Sequence, residues 1–385
     1  MSCNKFLDRF SFQTHWYDIF NGRKNIFKVK FNMDMDVKIM ELKSSPLFVM
    51  SLSSKELFHS NFWAWLFERN TGYIQIFFPV VQEDNPKVVR EEKNRDISIH
   101  SNNRVYVVEN KLKSVPYLEQ LKGYREELGQ VFGGGIITGI ETPVFDCPDG
   151  WEFHSYYDIG MKIAEIAKSE PPSFEKDLII RYAEMICLLC NVLKEKIQNI
   201  GNQLLPPTEE LNQIESIRMG DVVKKLNADY FVKYLNMQLL PFLKSVKGYK
   251  LSVCAGFSHK SAIIDIRYVN DPVGLIGIQI QGNQYRRCIQ LSRKNVDDNK
   301  LYQKFADLKW FWDRYDSNGF ADGRKTSMRK FRQYNKFITD EYHFLYQYWD
   351  IQDYSFDGLK SIIEKDMAIA ATMLEDYGGI DCENM

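Results

Sequence analysis

Glu109 and Lys111 occur in the run RVYVVENKLKS, Arg104 to Ser114, at the same alternation as Val105 and Val107. In an extended strand that spacing puts all four side chains on one face, so an acid and a base share a face with core residues. The preceding text, RDISIHSNN, supplies a partner strand. If Asn102 and Asn103 are the central residues of a two-residue primed turn, opposing residues have numbers summing to 205 and Asp96 faces Glu109. A four-residue loop keeps this register and a three-residue loop spoils it. Residues opposed in this way have Cβ atoms about 4.5–5.5 Å apart, and like charges there repel. A divalent cation relieves that repulsion, and paired carboxylates suit Mg²⁺ (or Mn²⁺) with several retained waters. Asp96 and Glu109 are therefore the candidate metal ligands. A metal held there orients a phosphodiester and acidifies bound water, and the compact ammonium of Lys111 positions that water or neutralises developing charge.

The surrounding text must position these groups. SLSSKELFHSNFWAWLFERN, Ser51 to Asn70, reads as a helix with Phe58, Phe62, Trp65 and Leu66 at helical spacing, after an irregular N-terminal region. Its start is a capping box, with Ser53 as N-cap, Glu56 at N3 and a staple from Leu52 to Leu57. Strands follow at 87–93, 95–100 and 104–112, then a helix from Pro116 to Gln130 with Leu118, Leu121, Tyr124 and Leu128 on one stripe. A strand at 131–141, a strand running into a helix from Trp151, and a long helix at 174–198 complete this half. Asn199 to Gln213 carries the Gly and Pro-Pro signals of a boundary. The reading is α/β (α+β), a mixed sheet flanked by helices at 1–200, followed by a second α+β domain at 201–385. In that second half, helical text precedes four strands and helical text follows them to the end.

Asp96, Glu109-Asn110-Lys111, and a following helix bearing Gln120-Leu121-Lys122-Gly123-Tyr124 resemble the PD-(D/E)xK nuclease superfamily, in the branch with a Q-x-x-x-Y helix motif. The upstream KELFHSNFWAWLF is similar to the E-x-x-H-S first-helix motif of a bacterial family within it. The likeness covers roughly residues 50–160, and Arg95 stands where the superfamily name has proline. The resemblance implies a restriction-endonuclease-like fold and an Mg²⁺-dependent phosphodiesterase. In it Asp96 and Glu109 hold the metal, Lys111 assists the water, Glu56 completes the site, and Gln120 and Tyr124, one turn apart, face the site and the substrate backbone. The expected activity is hydrolysis of DNA in defence or repair, with RNA a second candidate polymer and a homo-oligomer a candidate assembly. A competing class is a nucleic-acid-binding or assembly protein on the same fold without turnover.

Other signals have plainer readings. His59 reads as an ordinary hydrogen-bonded histidine, Cys187-x-x-Cys190 as core packing inside an apolar helix, and GGGIITG as glycines for a turn and close packing, since it lacks the Lys and Ser or Thr of a phosphate loop. Seven scattered cysteines, an odd number, point to free thiols in a reducing cytoplasm. The N-terminus has no secretory pattern, and no stretch is apolar enough for a membrane helix. A net charge of −1 excludes a globally basic footprint, so contacts to a polyanion must come from local patches. RKTSMRKFRQYNKFI, Arg324 to Ile338, is the best such patch; as a helix it aligns Lys325, Arg329, Arg332 and Lys336 on one face for phosphate contacts.

Overall fold

The computed structural model describes residues 34–52, 55–112, 118–143, 145–205, 207–258, 261–270, 274–291, 300, 303–304, 307, 310–311, 335–338, 343–351 and 355–376. Ser53, Pro116, Lys325, Arg329 and Arg332 lie outside them. Two sheets organise a mixed α/β chain.

The first sheet grows from two tight hairpins. β1 (Lys87–Glu92), β2 (Arg95–Ser101) and β3 (Arg104–Lys111) are joined by Lys93-Asn94 and Asn102-Asn103. All four of these turn residues have φ between 50° and 67°. Left-handed values at both central positions are what a type I′ turn requires, and Asn tolerates them best after Gly. The second turn sets the pairing of β2 with β3, from Ser101–Arg104 to Ile97–Val108, in the register with sums of 205. A helix (Leu118–Leu128, called α5 below) then carries the chain to β4 (Phe132–Gly139), parallel to β3, and β5 (Trp151–Ser155) lies parallel to β4. The order is β1-β2-β3-β4-β5.

Helices cover both faces of this sheet. Ahead of it come α1 (Met35–Ser44), α2 (Pro46–Ser51), α3 (Lys55–Arg69) and α4 (Thr71–Gln75); after it come α6 (Tyr156–Ser169) and α7 (Phe174–Ile200). Ile97, Ile99, Tyr106, Val108 and Ile136 join Trp63, Leu66, Ile163 and Tyr182 in one large core. Val105, Val107 and Ile137 pack on the other face with Leu121 and Tyr124 of α5 and with Trp151. β3 is thus buried on both sides, which is why it reads as a near-continuous apolar run. The glycines of β4 serve close packing, as expected: a Cβ on Gly135 would lie 2.4 Å from the Trp151 ring, and one on Gly133 2.7 Å from Tyr106. Cys187 and Cys190 are buried free thiols in α7, and burial pushes the Cys190 thiol up to about 12.

The second sheet is antiparallel throughout. α8 (Thr208–Glu215) and α9 (Gly220–Gln238) precede β6 (Lys250–Ser258), β7 (Ser261–Asn270), β8 (Gly274–Gln281) and β9 (Gln284–Leu291). β10 (Asn335–Ile338) and β11 (His343–Asp350) extend it to the order β10-β11-β9-β8-β7-β6, and α10 (Phe356–Asp376) closes the described chain. Ile264, Ile266, Ile276, Ile278 and Ile280 meet Leu235 of α9 and Ile363 and Met367 of α10 in a second core. α9 belongs to both cores, with Val222 and Val223 in the first and Phe231, Val232 and Leu235 in the second.

Three expectations need correction. Residues 35–51 form two helices, the second starting at Pro46 with Ser45 as its cap, where the sequence reads as irregular. In α3 Trp63 is fully buried while Phe58 and Trp65 are only half-buried, because α3 packs between neighbours rather than on a single stripe. The text after β9 is not helical to the end. Lys336 lies in β10, an edge strand paired with β11, so the helical face proposed for it with Lys325, Arg329 and Arg332 does not extend to this residue.

Candidate active site

Beyond Ile97–Val108 the β2–β3 ladder gives way to a side-chain bond. The Asp96 carboxylate accepts the Asn110 backbone amide through Oδ2 at 2.6 Å. Glu109, one residue back on β3, is only 3% exposed. Its Oε1 meets Lys111 Nζ at 2.8 Å and accepts from the Gln120 amide at 3.0 Å. Its Oε2 is buried without a hydrogen-bond partner among the described residues. An ionised oxygen in that position is costly unless something positive approaches it.

The electrostatics agree. Burial first, then the Glu109 charge, pushes the Asp96 carboxyl up to about 7 against the opposing Asn110 amide and Lys111. Burial likewise raises Glu109, and Lys111 with the Asp96 backbone amide offsets only part of the effect. The two acids behave as a pair that resists carrying two negative charges, and Glu56 adds to the repulsion on both.

The helix across the face completes a network. Gln120 Oε1 accepts from Lys111 Nζ at 3.2 Å, and its amide donates to Tyr124 Oη at 2.7 Å as well as to Glu109. Tyr124 Oη in turn donates to the Asn94 carbonyl at 2.6 Å in the β1–β2 turn. Gln120 and Tyr124 lie one turn apart on α5, so a single helix face reaches both the Glu109 carboxylate and the hairpin. Burial and Glu109 push the Tyr124 phenol up to about 12, so it stays a hydrogen-bond donor at neutral pH.

Five of the six catalytic candidates thus gather around Glu109, namely Asp96, Glu109, Lys111, Gln120 and Tyr124. Glu56 enters from α3 and is held by a residue that the sequence reading passed over. Asn110, buried on the opposite face of β3, donates to the Glu56 carbonyl at 3.0 Å and to Ser60 Oγ at 3.1 Å, and its Oδ1 accepts from Tyr156 Oη. The one available signal was an amide in step with Tyr106 and Val108 at the end of an apolar strand. Arg95 is also structural: it is 2% exposed and bonds Glu92 Oε2 at 2.9 Å and Ser98 Oγ at 3.1 Å. His59 behaves as expected for a core histidine, with Nδ1 2.8 Å from Tyr182 Oη and burial pushing its imidazole down to about 3.

Among the described residues no group of three or more His, Cys, Asp or Glu side chains is placed to hold one metal ion. Two carboxylates suffice for Mg²⁺, which keeps most of its waters, and the unpartnered Glu109 Oε2 supplies an oxygen that fits this need. Among the described residues no helix is long and apolar enough to cross a membrane. Comparison with protein-family models, curated proteins and solved structures finds no match to the chain.

Proposed function

We propose that this protein is a divalent-metal-dependent nuclease that hydrolyses DNA phosphodiester bonds, with its chemistry at the end of the β2–β3 hairpin. The observation that carries this reading is the buried, unpartnered Oε2 of Glu109 in a carboxylate pair that already has a lysine at its edge. The mixed sheet, with an antiparallel hairpin followed by parallel strands and acids at the junction, supports the restriction-endonuclease-like assignment suggested by the motifs.

In this reading Asp96 and Glu109 would hold Mg²⁺ or Mn²⁺. When bound, the ion supplies Lewis acidity and a water acidic enough to serve as nucleophile near neutral pH. Lys111 keeps an ammonium beside Glu109, where it orients a water or neutralises charge that develops on a phosphoryl oxygen. Gln120 locks the Glu109 rotamer and hands the restraint on to Tyr124. Asn110 fixes the backbone of Glu56 against β3.

The test is digestion of plasmid and linear DNA with Mg²⁺ or Mn²⁺, with EDTA, and with a Lys111→Ala control. Wild-type protein should cleave only with metal, and the variant should lose about 10²–10³ in rate, the usual cost of deleting one group that stabilises developing charge. Equal products from both proteins refute the assignment. Replacing Gln120 with Leu should weaken Mn²⁺ binding by roughly 10-fold, since residues that orient a ligand commonly contribute 10–100-fold to metal affinity. Calorimetric titration measures that change without reference to turnover.

One observation favours a second reading, a DNA-binding protein on the same framework that does not turn over: Glu109 Oε1 is already occupied by Lys111 and Gln120. The two separate on Asp96→Ala, which should leave the binder's DNA affinity intact and end the enzyme's cleavage.

A further inference from the structure

Asn110 stands between Glu109 and Lys111 in sequence, but its side chain leaves β3 on the other face and enters the core beneath α3. There it is 1% exposed and bonded at both ends of its carboxamide. Nδ2 donates to the Glu56 carbonyl at 3.0 Å and to Ser60 Oγ at 3.1 Å, and Oδ1 accepts from Tyr156 Oη. Ser60 Oγ donates in turn to the Glu56 carbonyl at 3.1 Å, which closes the circuit around the first turn of α3. The Asn110 backbone amide meanwhile donates to Asp96 Oδ2 at 2.6 Å. One residue thus touches both the turn that carries Glu56 and the hairpin end that carries Asp96.

Tyr156 is the fixed point of this arrangement. It is the first residue of α6, directly after β5, with Ser155 as the helix cap. Its ring is buried and clasped by α3: His59 packs edge-on with 5.2 Å between ring centroids, and Trp63 lies at 5.1 Å. His59 Nδ1 is itself 2.8 Å from Tyr182 Oη of α7. Glu56, His59, Ser60 and Trp63 follow i, i+3, i+4, i+7 spacing and so share one face of the helix. The other donor to Asn110 Oδ1 among the described residues, Thr138 Oγ1, lies 3.5 Å away, too far to hold the carboxamide alone. A buried polar network with every member satisfied specifies one geometry, and a half-satisfied one does not.

We propose that Tyr156 is a positioning residue of the Asp96–Glu109 site: its hydroxyl fixes the Asn110 carboxamide, and the carboxamide sets the first turn of α3, and Glu56 with it, against the end of β3. The assignment rests on the nuclease reading and deepens it, because it makes the E-x-x-H-S face of α3 a means of aiming Glu56 and not a set of reacting groups. Ser60 holds the carboxamide from below, His59 and Trp63 hold the Tyr156 ring, and the effect of the hydroxyl on the site runs through Glu56.

Tyr156→Phe, Glu56→Gln and the two combined decide it, each first checked for a cooperative melting transition. Calorimetric titration with Mn²⁺ then gives an affinity that does not depend on turnover. Tyr156→Phe should weaken Mn²⁺ binding about tenfold, within the 10–100-fold that outer partners of a metal site commonly contribute. In the Glu56→Gln background, which keeps the Asp96–Glu109 pair, the same change should alter affinity by less than about twofold, because two residues acting through one group are not additive. A purely structural tyrosine would instead lower the melting temperature and give losses that add. If Tyr156→Phe does not fold, Ser60→Ala, which releases the other end of the same carboxamide, takes its place in the comparison. A folded variant that binds Mn²⁺ like wild type overturns the assignment, and so does an equal loss with and without Glu56; in both cases the nuclease reading stands. If wild type neither binds Mn²⁺ nor cleaves, the nuclease reading falls and this assignment falls with it.

Discussion

Replacing Asp96 with Asn should remove metal-dependent cleavage and at the same time make the metal-free protein more stable above neutral pH. The first half follows from the proposed function, in which one of the two carboxylates proposed to hold the metal is lost, for which a fall on the order of 10³-fold in kcat is expected from comparable electrostatic deletions. The second half follows from the sign of the Asp96 shift. Its folded-state value is raised to about 7 while the unfolded chain has an ordinary aspartate. The folded state therefore prefers the protonated acid, and the stability this gives is fully present below the unfolded value of about 4 and is lost as pH rises through about 7. Asn does not titrate and has no such loss. Melting curves in EDTA should show the variant a few degrees above wild type at about pH 8, with the gap closing towards about pH 4. A gap independent of pH contradicts the raised Asp96, and undiminished cleavage contradicts its role. Such an opposition between stability and activity is what a site assembled for function and not for folding should display.

The second large effect lies far from this site. Arg287 on β9 is buried and bonds Asp366 of α10 at 2.6 Å and the Trp310 carbonyl at 2.9 Å, while Tyr285 Oη donates to the other Asp366 oxygen at 2.9 Å. Both charged side chains are almost wholly enclosed, at 4% and 2% exposure. Substituting Arg287 with Leu strands the Asp366 charge in that interior and should cost about 3–5 kcal/mol, a large share of the stability of an ordinary domain. The double variant Arg287→Met/Asp366→Leu removes both charges and should recover most of the loss, since well-packed apolar pairs often equal a buried ion pair. Urea denaturation followed by tryptophan fluorescence measures both. A single variant as stable as wild type would show that the pair does little to hold α10 on the sheet.

The hairpin was legible because its signals are local. Asn102-Asn103 dictates a primed turn, the turn dictates the register, and the register places Asp96 near Glu109 before any tertiary contact is known. The stripe on α5 is equally local, and so is the apolar alternation of β6 to β9. What escaped depends on partners distant in sequence. Asn110 looks like the neutral middle of a motif until α3 and α6 arrive on its side of β3. β11 does alternate, with Phe344, Tyr346 and Tyr348 on one face and Leu345, Gln347 and Trp349 on the other, but β10 is a short edge strand whose conformation is set by pairing with β11 rather than by its own residues.

α9 runs unbroken from one hydrophobic core into the other. A rod anchored at both ends couples them: fraying of either half pulls on the same helix. The stability of the two cores is in that sense shared, so amide exchange in the flanking turns of α9 should rise in both halves together when either is destabilised.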